Sequence, residues 1–144
     1  MKPLPHDYEV KLTGTPSGYA TVSASGMPDL MSAPPADFGG PGDAWSPEHF
    51  LMAAVETCLL FSLRAIARAS KLEFSSLEVT GVGTVDRQAG VTRFTEIVLR
   101  PKLVIPAETD KERALRILDK AERSCLVSAS ISTPIRMEAE IAFG

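Results

Sequence analysis

The chain has 144 residues, of which 44% are hydrophobic and 23% are charged. This is the composition of an ordinary globular protein and argues against a disordered chain or a collagen-like repeat. Its 15 Lys and Arg are outnumbered by 18 Asp and Glu, so nucleic-acid binding is not expected. A chain of this length can bury about 70% of the surface that its unfolded form exposes, and needs no disulfide or metal. We expect one domain over residues 1–144 with both cysteines free for chemistry.

The N-terminal residues and the apolar segments favour a cytoplasmic protein without a membrane span. Pro3, Pro5 and Asp7 interrupt the stretch that a secretory signal would need to be apolar. The richest apolar segment, residues 50–61, is about a dozen residues long and contains Glu56, whereas a transmembrane helix needs about 20 apolar residues. We therefore expect this segment to be part of a core helix.

Three short strands are predicted in the first third of the chain. Apolar and polar residues alternate from Tyr8 to Thr13, which predicts a half-buried strand, and a second strand over about 19–24 would complete a hairpin. Residues 25–45 are rich in Gly, Pro and Ala, so they have room only for a short strand near 27–31. Loops this long in small domains are usually functional or mobile.

A long helix is predicted from Pro47 to about Ser70. Ser46 supplies a hydroxyl N-cap, proline suits the first helical position, and Glu48 suits the positive end of the helix dipole. Residues 50–61 are apolar almost all round, a pattern that requires burial on every side. Because one small sheet covers only one side, we expect a homodimer whose interface includes this helix.

A long hairpin, a second helix and a last strand are predicted after the first helix. Alternation over 77–85, a turn at 86–90 and a strand over 91–105 predict the hairpin. Pro101 should place the second of these strands at an edge or a bulge. Alternation over 135–143 predicts the last strand.

The second helix is predicted to open with the capping box Thr109-Asp110-Lys111-Glu112. Its apolar residues at helical spacing are Ala114, Leu118, Ala121 and Cys125, so Cys125 should lie on the buried stripe. The resulting order is ββ(β)-α-ββ-α-β. We expect an α+β fold with an antiparallel sheet, a long central helix and a second helix against it.

Thiol chemistry is the reaction class that the residue inventory leaves open. The chain has no GxGxxG, P-loop, GxSxG or HExxH motif. Cys58 lies inside the first helix and Cys125 at the end of the second, 67 residues later. That spacing fits no zinc site, so we predict neither a metal nor a cofactor. The cysteines are either small core residues or a pair that meets on oxidation.

Two polar residues near the start of the first helix are candidates for activating Cys58. Glu48 precedes it by ten residues, about 15 Å along one helix, so it can serve the thiol only across a subunit interface or through a break in the helix. Its alternative role is that of a favourable charge in the first turn. His49 is out of phase and about 13 Å away along the axis, so we do not predict a Cys–His pair.

Two segments carry a resemblance to a known family. They are SPEHFLMAA at 46–54, running on to Cys58, and AERSCLVS at 121–128. Together they resemble the OsmC/Ohr family of osmotically inducible and organic hydroperoxide resistance proteins, over about residues 8–143. The most specific element is the Pro-Glu pair ten residues before the first cysteine.

The resemblance implies an intertwined OsmC-like α+β homodimer that reduces organic hydroperoxides. On that mapping Cys58 is the peroxidatic cysteine, and Cys125 resolves its sulfenate as a disulfide. Glu48 would match the family glutamate that holds an activating arginine over the thiolate. A dithiol reductant such as a lipoylated protein would regenerate the reduced enzyme.

The activating arginine of the family is absent from its place in the N-terminal hairpin. The first arginine is Arg64, and Lys2 and Lys11 are the only basic residues before it. Lys11, Arg93 or Arg123 would have to supply the cation, or the thiol would keep its ordinary pKa and react slowly.

The sequence therefore leaves two hypotheses. One is a thiol-dependent peroxidase, whose substrate entrance would be lined by Met31, Phe38, Trp45 and Phe50. The other is an OsmC-like protein with little or no activity that binds a small apolar ligand or senses redox state.

Overall fold

The computed structural model describes all 144 residues as two compact units, residues 1–51 and 52–144. The first unit contains a three-stranded antiparallel sheet in the order β1-β2-β3. Its strands are β1 (Lys11–Thr13), β2 (Ala20–Ser23) and β3 (Leu30–Ser32). The α+β class is confirmed, and the single domain over 1–144 stays a prediction.

The first strand is shorter and more exposed than the sequence predicts. β1 begins at Lys11 rather than Tyr8, and every residue of it is exposed. Tyr8, which should have been half buried, is 87% exposed. Within residues 1–51, a sheet of three- and four-residue strands offers little apolar surface to cover such side chains. The second and third strands lie close to their predicted positions.

Helix α1 (Pro47–Ser70) has both of its predicted ends. At its start, the His49 N–H donates to Ser46 Oγ at 3.3 Å, which confirms the hydroxyl N-cap. The His49 ring makes a second, reciprocal hydrogen bond, in which its Nδ1 accepts from the Ser46 N–H at 3.2 Å. The imidazole thus plays the part that Glu plays in a capping box.

By length and composition α1 could cross a membrane, with a mean hydropathy of 1.8 over its most apolar part. Its buried residues are Val55, Leu59, Leu63 and Ala67, which follow one another at i, i+4 spacing. They belong to the apolar core of residues 52–144, together with buried residues of the neighbouring strand and helix. One side of α1 therefore packs in this core, and 22% of its most apolar part is buried.

The hairpin of β4 (Ser76–Gln88) and β5 (Val91–Ile105) is confirmed. Its two turn residues, Ala89 and Gly90, have φ values of 51° and 80°. Positive φ at both central positions is the geometry that matches the twist of two-residue hairpins. The antiparallel register is regular except for a bulge between Thr84 and Val85.

The second sheet is mixed rather than antiparallel throughout. The predicted last strand is divided into β6 (Ile135–Met137) and β7 (Glu140–Phe143), and both run parallel to β5. β5 is therefore central, and the expectation that Pro101 marks an edge strand is wrong. The interruption between β6 and β7 lies beside Arg100 and Pro101, where proline has no N–H to donate.

Helix α2 (Lys111–Arg123) is followed by the short helix α3 (Leu126–Ala129). The predicted capping box is wrong. Thr109 lies in a 3₁₀ turn, and Asp110 is an N-cap residue whose side chain makes no capping bond. The Asp110 carboxylate instead pairs with Arg113 at 3.2 Å. The apolar stripe is confirmed, since Ala114, Leu118 and Ala121 are buried.

Two glycines let α1 approach β4 closely. A Cβ on Gly83 would lie 2.7 Å from Sδ of Met52 and 2.6 Å from Cε1 of Phe94. A Cβ on Gly81 would lie 2.8 Å from Oε1 of Glu56. Because Gly81 and Gly83 have no side chains, α1 lies close to β4. The carboxyl group of Glu56 is partly buried between the two elements.

We expect Glu56→Gln to stabilise the protein at pH 8 and to have a smaller effect at pH 4. Burial raises the pKa of Glu56, although a hydrogen bond to the Gly81 backbone offsets part of that rise. The folded state thus loses stability as pH rises through the raised pKa, and glutamine has no proton to lose. Urea midpoints at the two pH values test this, with the exposed Glu78→Gln as control. An equal effect at both pH values would contradict it.

Candidate functional site: the thiol pair

Cys58 and Cys125 face each other within residues 52–144. Cys58 lies midway along α1 and is partly exposed, whereas Cys125 is 1% exposed. Both are free thiols, and the thiol of Cys125 interacts with that of Cys58. The two cysteines that the sequence singled out are thus brought together, with one open to solvent and the other covered.

Cys125 reaches this position because α2 ends two residues before it. The Ser124 and Cys125 N–H groups donate to the Lys120 and Glu122 carbonyls at 3.0 and 3.1 Å and close the helix. Cys125 itself is extended, with ψ of 117°, and its Sγ accepts from the Ser128 N–H at 3.5 Å as the N-cap of α3. The prediction that Cys125 continues the α2 stripe is corrected to that extent, although its burial is confirmed.

At Cys58, hydrogen bonds lower the pKa by more than burial raises it. Burial raises the pKa of this thiol, but donation from Cys125 and from the Leu126 and Val127 backbone lowers it. The Ser62 hydroxyl, 3.9 Å from Sγ, acts in the same direction. The net pKa of Cys58 is lower than that of an ordinary thiol, so its thiolate is favoured.

The pKa of Cys125 is shifted the other way. Burial raises it first, and the interaction with Cys58 raises it further. The nearby Ser128 hydroxyl and the bond from the Ser128 backbone N–H lower it, but they offset only part of that rise. Within the pair, Cys58 is therefore the thiol with the lower pKa and ionises before Cys125.

The cations proposed from the sequence have other surroundings. Arg93 Nη2 donates to Ser132 Oγ at 2.9 Å, and Arg123 pairs with Asp119 at 3.0 Å. Lys11 is exposed on β1. The donors that lower the pKa of Cys58 are all neutral groups, and sequence reasoning missed them. The one signal available was that Ser62 follows Cys58 by one helical turn. No three His, Cys, Asp or Glu side chains come together as a metal site.

Glu48 occupies the first turn of α1, within residues 1–51. Its Oε2 atom is buried and has no hydrogen-bond partner. The side chain borders a mainly apolar cavity of about 420 Å³, which Leu12, Ala33 and Phe38 also line. Since α1 is unbroken, about 15 Å of helix axis separates Glu48 from Cys58 of the same chain. Of the two predicted routes to the thiol, a break in the helix is excluded.

Trp45 anchors the loop before α1. Its ring stacks on Phe50 with centroids 6.0 Å apart and lies edge-on to His49 at 6.0 Å. Its carbonyl accepts from the Ser32 hydroxyl at 2.7 Å. Of the four predicted entrance residues, Phe38 lines the 420 Å³ cavity, while Trp45 and Phe50 pack on each other.

Comparison with known proteins identifies the family. The family model described as OsmC-like protein matches residues 40–140, which include both cysteines. The chain belongs to the OsmC family. Among curated proteins, the uncharacterised protein YmaD of Bacillus subtilis is 28% identical over 136 residues, which cover 91% of this chain and 90% of YmaD.

Solved structures of OsmC proteins have the same fold. An OsmC-like protein of unknown function from Vibrio cholerae matches with a TM-score of 0.87 and 18% identity, over 94% of this chain and 99% of that one. An organic hydroperoxide resistance protein from Elizabethkingia anophelis matches with a TM-score of 0.75 and 20% identity, over 100% of both chains. The predicted OsmC-like fold is confirmed.

We expect Ser62→Ala to raise the pKa of Cys58 by up to about one pH unit, because one unit corresponds to about 1.4 kcal/mol, the scale of one hydrogen bond. The pKa is measured from the rate at which iodoacetamide alkylates Cys58 between pH 6 and 10. Peptide mass mapping identifies the alkylated cysteine. Ser70→Ala, exposed at the end of the same helix, serves as control. Coincident profiles for Ser62→Ala and the wild type would rule out a contribution of this hydroxyl.

Proposed function

We propose that this OsmC protein is a thiol-dependent peroxidase that reduces organic hydroperoxides in the defence against oxidative stress. Hydrogen peroxide is a second substrate to be tested. The observation that carries the proposal is the pair of interacting thiols with opposite pKa shifts. The family, and a structural neighbour named as an organic hydroperoxide resistance protein, support a role in peroxide resistance.

The proposed reaction begins at the more exposed and more acidic thiol. The Cys58 thiolate attacks the distal oxygen of the hydroperoxide, the O–O bond breaks, and the alkoxide leaves as an alcohol after taking a proton. Cys58 is then a sulfenic acid. Cys125 attacks its sulfur, so that the S–S bond forms and the hydroxyl leaves as water. A dithiol such as a lipoylated protein returns both cysteines to thiols by two exchange steps.

We further propose a homodimer in which Glu48 of one subunit lies near the thiols of the other. Four of the 24 residues of α1 are buried, while Phe61 on the same helix is 57% exposed. Val82 and Val91 on the hairpin are also exposed. A long apolar helix with so few of its residues covered favours an interface with a second subunit. The proposed reaction starts from two reduced cysteines. Because the cytoplasm keeps thiols reduced, we expect the protein to be located there.

The dimer predicts a concentration-dependent sedimentation behaviour. The wild type should sediment as a dimer at micromolar concentration, and Phe61→Glu should shift the equilibrium toward monomer because a charge would be buried in the interface. Glu78→Gln, on the exposed face of β4, should remain dimeric. A wild type that is monomeric at high concentration would remove both the dimer and the role of Glu48 across it.

A second candidate function is the binding of a small ligand without catalysis. The 420 Å³ cavity in residues 1–51 favours it, because its lining is mainly apolar and one buried oxygen of Glu48 has no partner there. Such a site suits an apolar molecule that carries one hydrogen-bond donor. This candidate predicts an ordinary, slow reaction of Cys58 with peroxides.

The peroxidase proposal predicts a fast loss of two hydrogens from the reduced protein after one equivalent of cumene hydroperoxide. Intact-mass analysis measures it. Cys125→Ser should stop at a sulfenic acid on Cys58, and Cys58→Ser should not react, because its remaining thiol is buried and has a raised pKa. A wild-type rate no faster than that of free cysteine would contradict the peroxidase and favour the ligand-binding candidate.

A further inference from the structure

Two buried polar atoms without hydrogen-bond partners belong to residues within three positions of Cys125 in the chain. They are Oε1 of Glu122 and Oγ of Ser128. Both residues border one cavity of about 240 Å³. Both also contact Cys125, whose N–H donates to the Glu122 carbonyl at 3.1 Å and whose Sγ accepts from the Ser128 N–H at 3.5 Å. Orphaned buried polar groups are rare in folded proteins, and two around one small cavity call for a functional reason.

The resolving step supplies such a reason. A thiol attacks as its thiolate, and Cys125 is covered and holds its proton more tightly than an ordinary thiol. Once Cys58 has become a sulfenic acid, it is no longer an anion that could take that proton. Cys125 therefore needs another proton acceptor, and it must be one that reaches a buried sulfur.

We propose that Glu122 accepts the proton of Cys125 through the hydroxyl of Ser128 as the disulfide forms. This inference rests on the proposed function. The Ser128 oxygen takes the proton from Sγ and passes its own to the Glu122 carboxylate, directly or through water in the cavity. The S–S bond to Cys58 forms as the S–O bond breaks. The leaving hydroxide takes a proton from solvent, and Glu122 returns its proton to solvent through the cavity, so that water is the net product.

The position of Ser128 suits this transfer. Its hydroxyl has no bond of ordinary geometry, but it lies close enough to the Cys125 thiol to lower the pKa of that thiol. The cavity is large enough for water and is bordered by the polar residues Arg123 and Thr133. Glu122 and Ser128 also line it, so the carboxylate and the hydroxyl border the same cavity.

The charged side chains around Glu122 are paired among themselves. Asp119 and Arg123 on α2 and Arg136 on β6 border a second cavity beside Glu122, of about 490 Å³. Their pairs are Arg123 with Asp119 at 3.0 Å, Arg136 with Glu96 at 2.8 Å and Arg136 with Glu138 at 3.1 Å. Each of these guanidinium groups therefore pairs with a carboxylate other than Glu122.

The first test follows one turnover with cumene hydroperoxide by quenched flow and intact mass. In Glu122→Gln and Ser128→Ala at pH 7, the Cys58 sulfenic acid should form at the wild-type rate, and the disulfide at least about tenfold more slowly. The deficit should shrink as pH rises, because Cys125 then ionises unaided. Ser128→Thr keeps the hydroxyl and should restore the rate, and the exposed Glu112→Gln on α2 should be unaffected.

A second test needs no peroxide. Attack of Cys58 on Ellman's reagent gives a mixed disulfide and releases one coloured thiolate, and attack by Cys125 on the Cys58 sulfur then releases a second one, whose rate is followed. The same variants should slow this release at pH 7, with the same recovery at high pH. Unchanged release in Glu122→Gln, with an unchanged pH profile, would overturn the proton transfer. If release depends on Glu122 but peroxide yields no sulfenic acid, the peroxidase proposal fails and the proton transfer stands.

Discussion

The packing of α1 against the core of residues 52–144 is the constraint on which the thiol pair depends. Val55, Leu59 and Leu63 are fully buried, and each such side chain contributes about 1.5–3 kcal/mol. Their stripe fixes the rotation of the helix about its axis. Cys58, next to Leu59, consequently lies at the border of the stripe, half covered and turned toward the junction of α2 and α3. The glycines of β4 allow this depth of packing, since a side chain at Gly83 would collide with Met52.

The asymmetry of the two thiols follows from their different backbone settings. Cys58 lies inside a helix, where its own N–H is used, and its thiol receives donors from Ser62 in the same helix and from Cys125 and the start of α3. Cys125 lies between two helices under nearly complete cover. Neutral donors act on the thiolate through partial charges, whereas an arginine would act through a full one. The pair thus has a built-in order of ionisation without a cation, although a weaker one than an arginine would impose.

Local signals in the sequence predicted the start of α1 and the hairpin turn correctly, although the capping box predicted for α2 was wrong. Ser46, Pro47 and Glu48 act within a single helical turn, and α1 begins where they predict. The turn of the β4–β5 hairpin is likewise decided by adjacent residues, of which Gly90 has positive φ. Features that depend on distant partners were missed. The parallel pairing of β6 and β7 with β5 joins residues that are far apart in sequence, and alternation within a strand carries no information about its neighbour's direction.

The candidate site was predictable in its residues but not in its chemistry. Helical spacing correctly predicted that Cys125 is buried, yet it could not reveal that α2 ends at Arg123. That early end has several effects at once. It turns Cys125 into an extended residue facing α1, opens the N–H groups of residues 126 and 127 toward Cys58, and makes Ser128 the partner of Cys125 in the α3 cap. If the helix continued through Cys125, those N–H groups would bond to carbonyls one turn earlier, and neither thiol would have the surroundings that set its proton affinity. The break between α2 and α3 is therefore the element that turns two core cysteines into a pair with distinct roles.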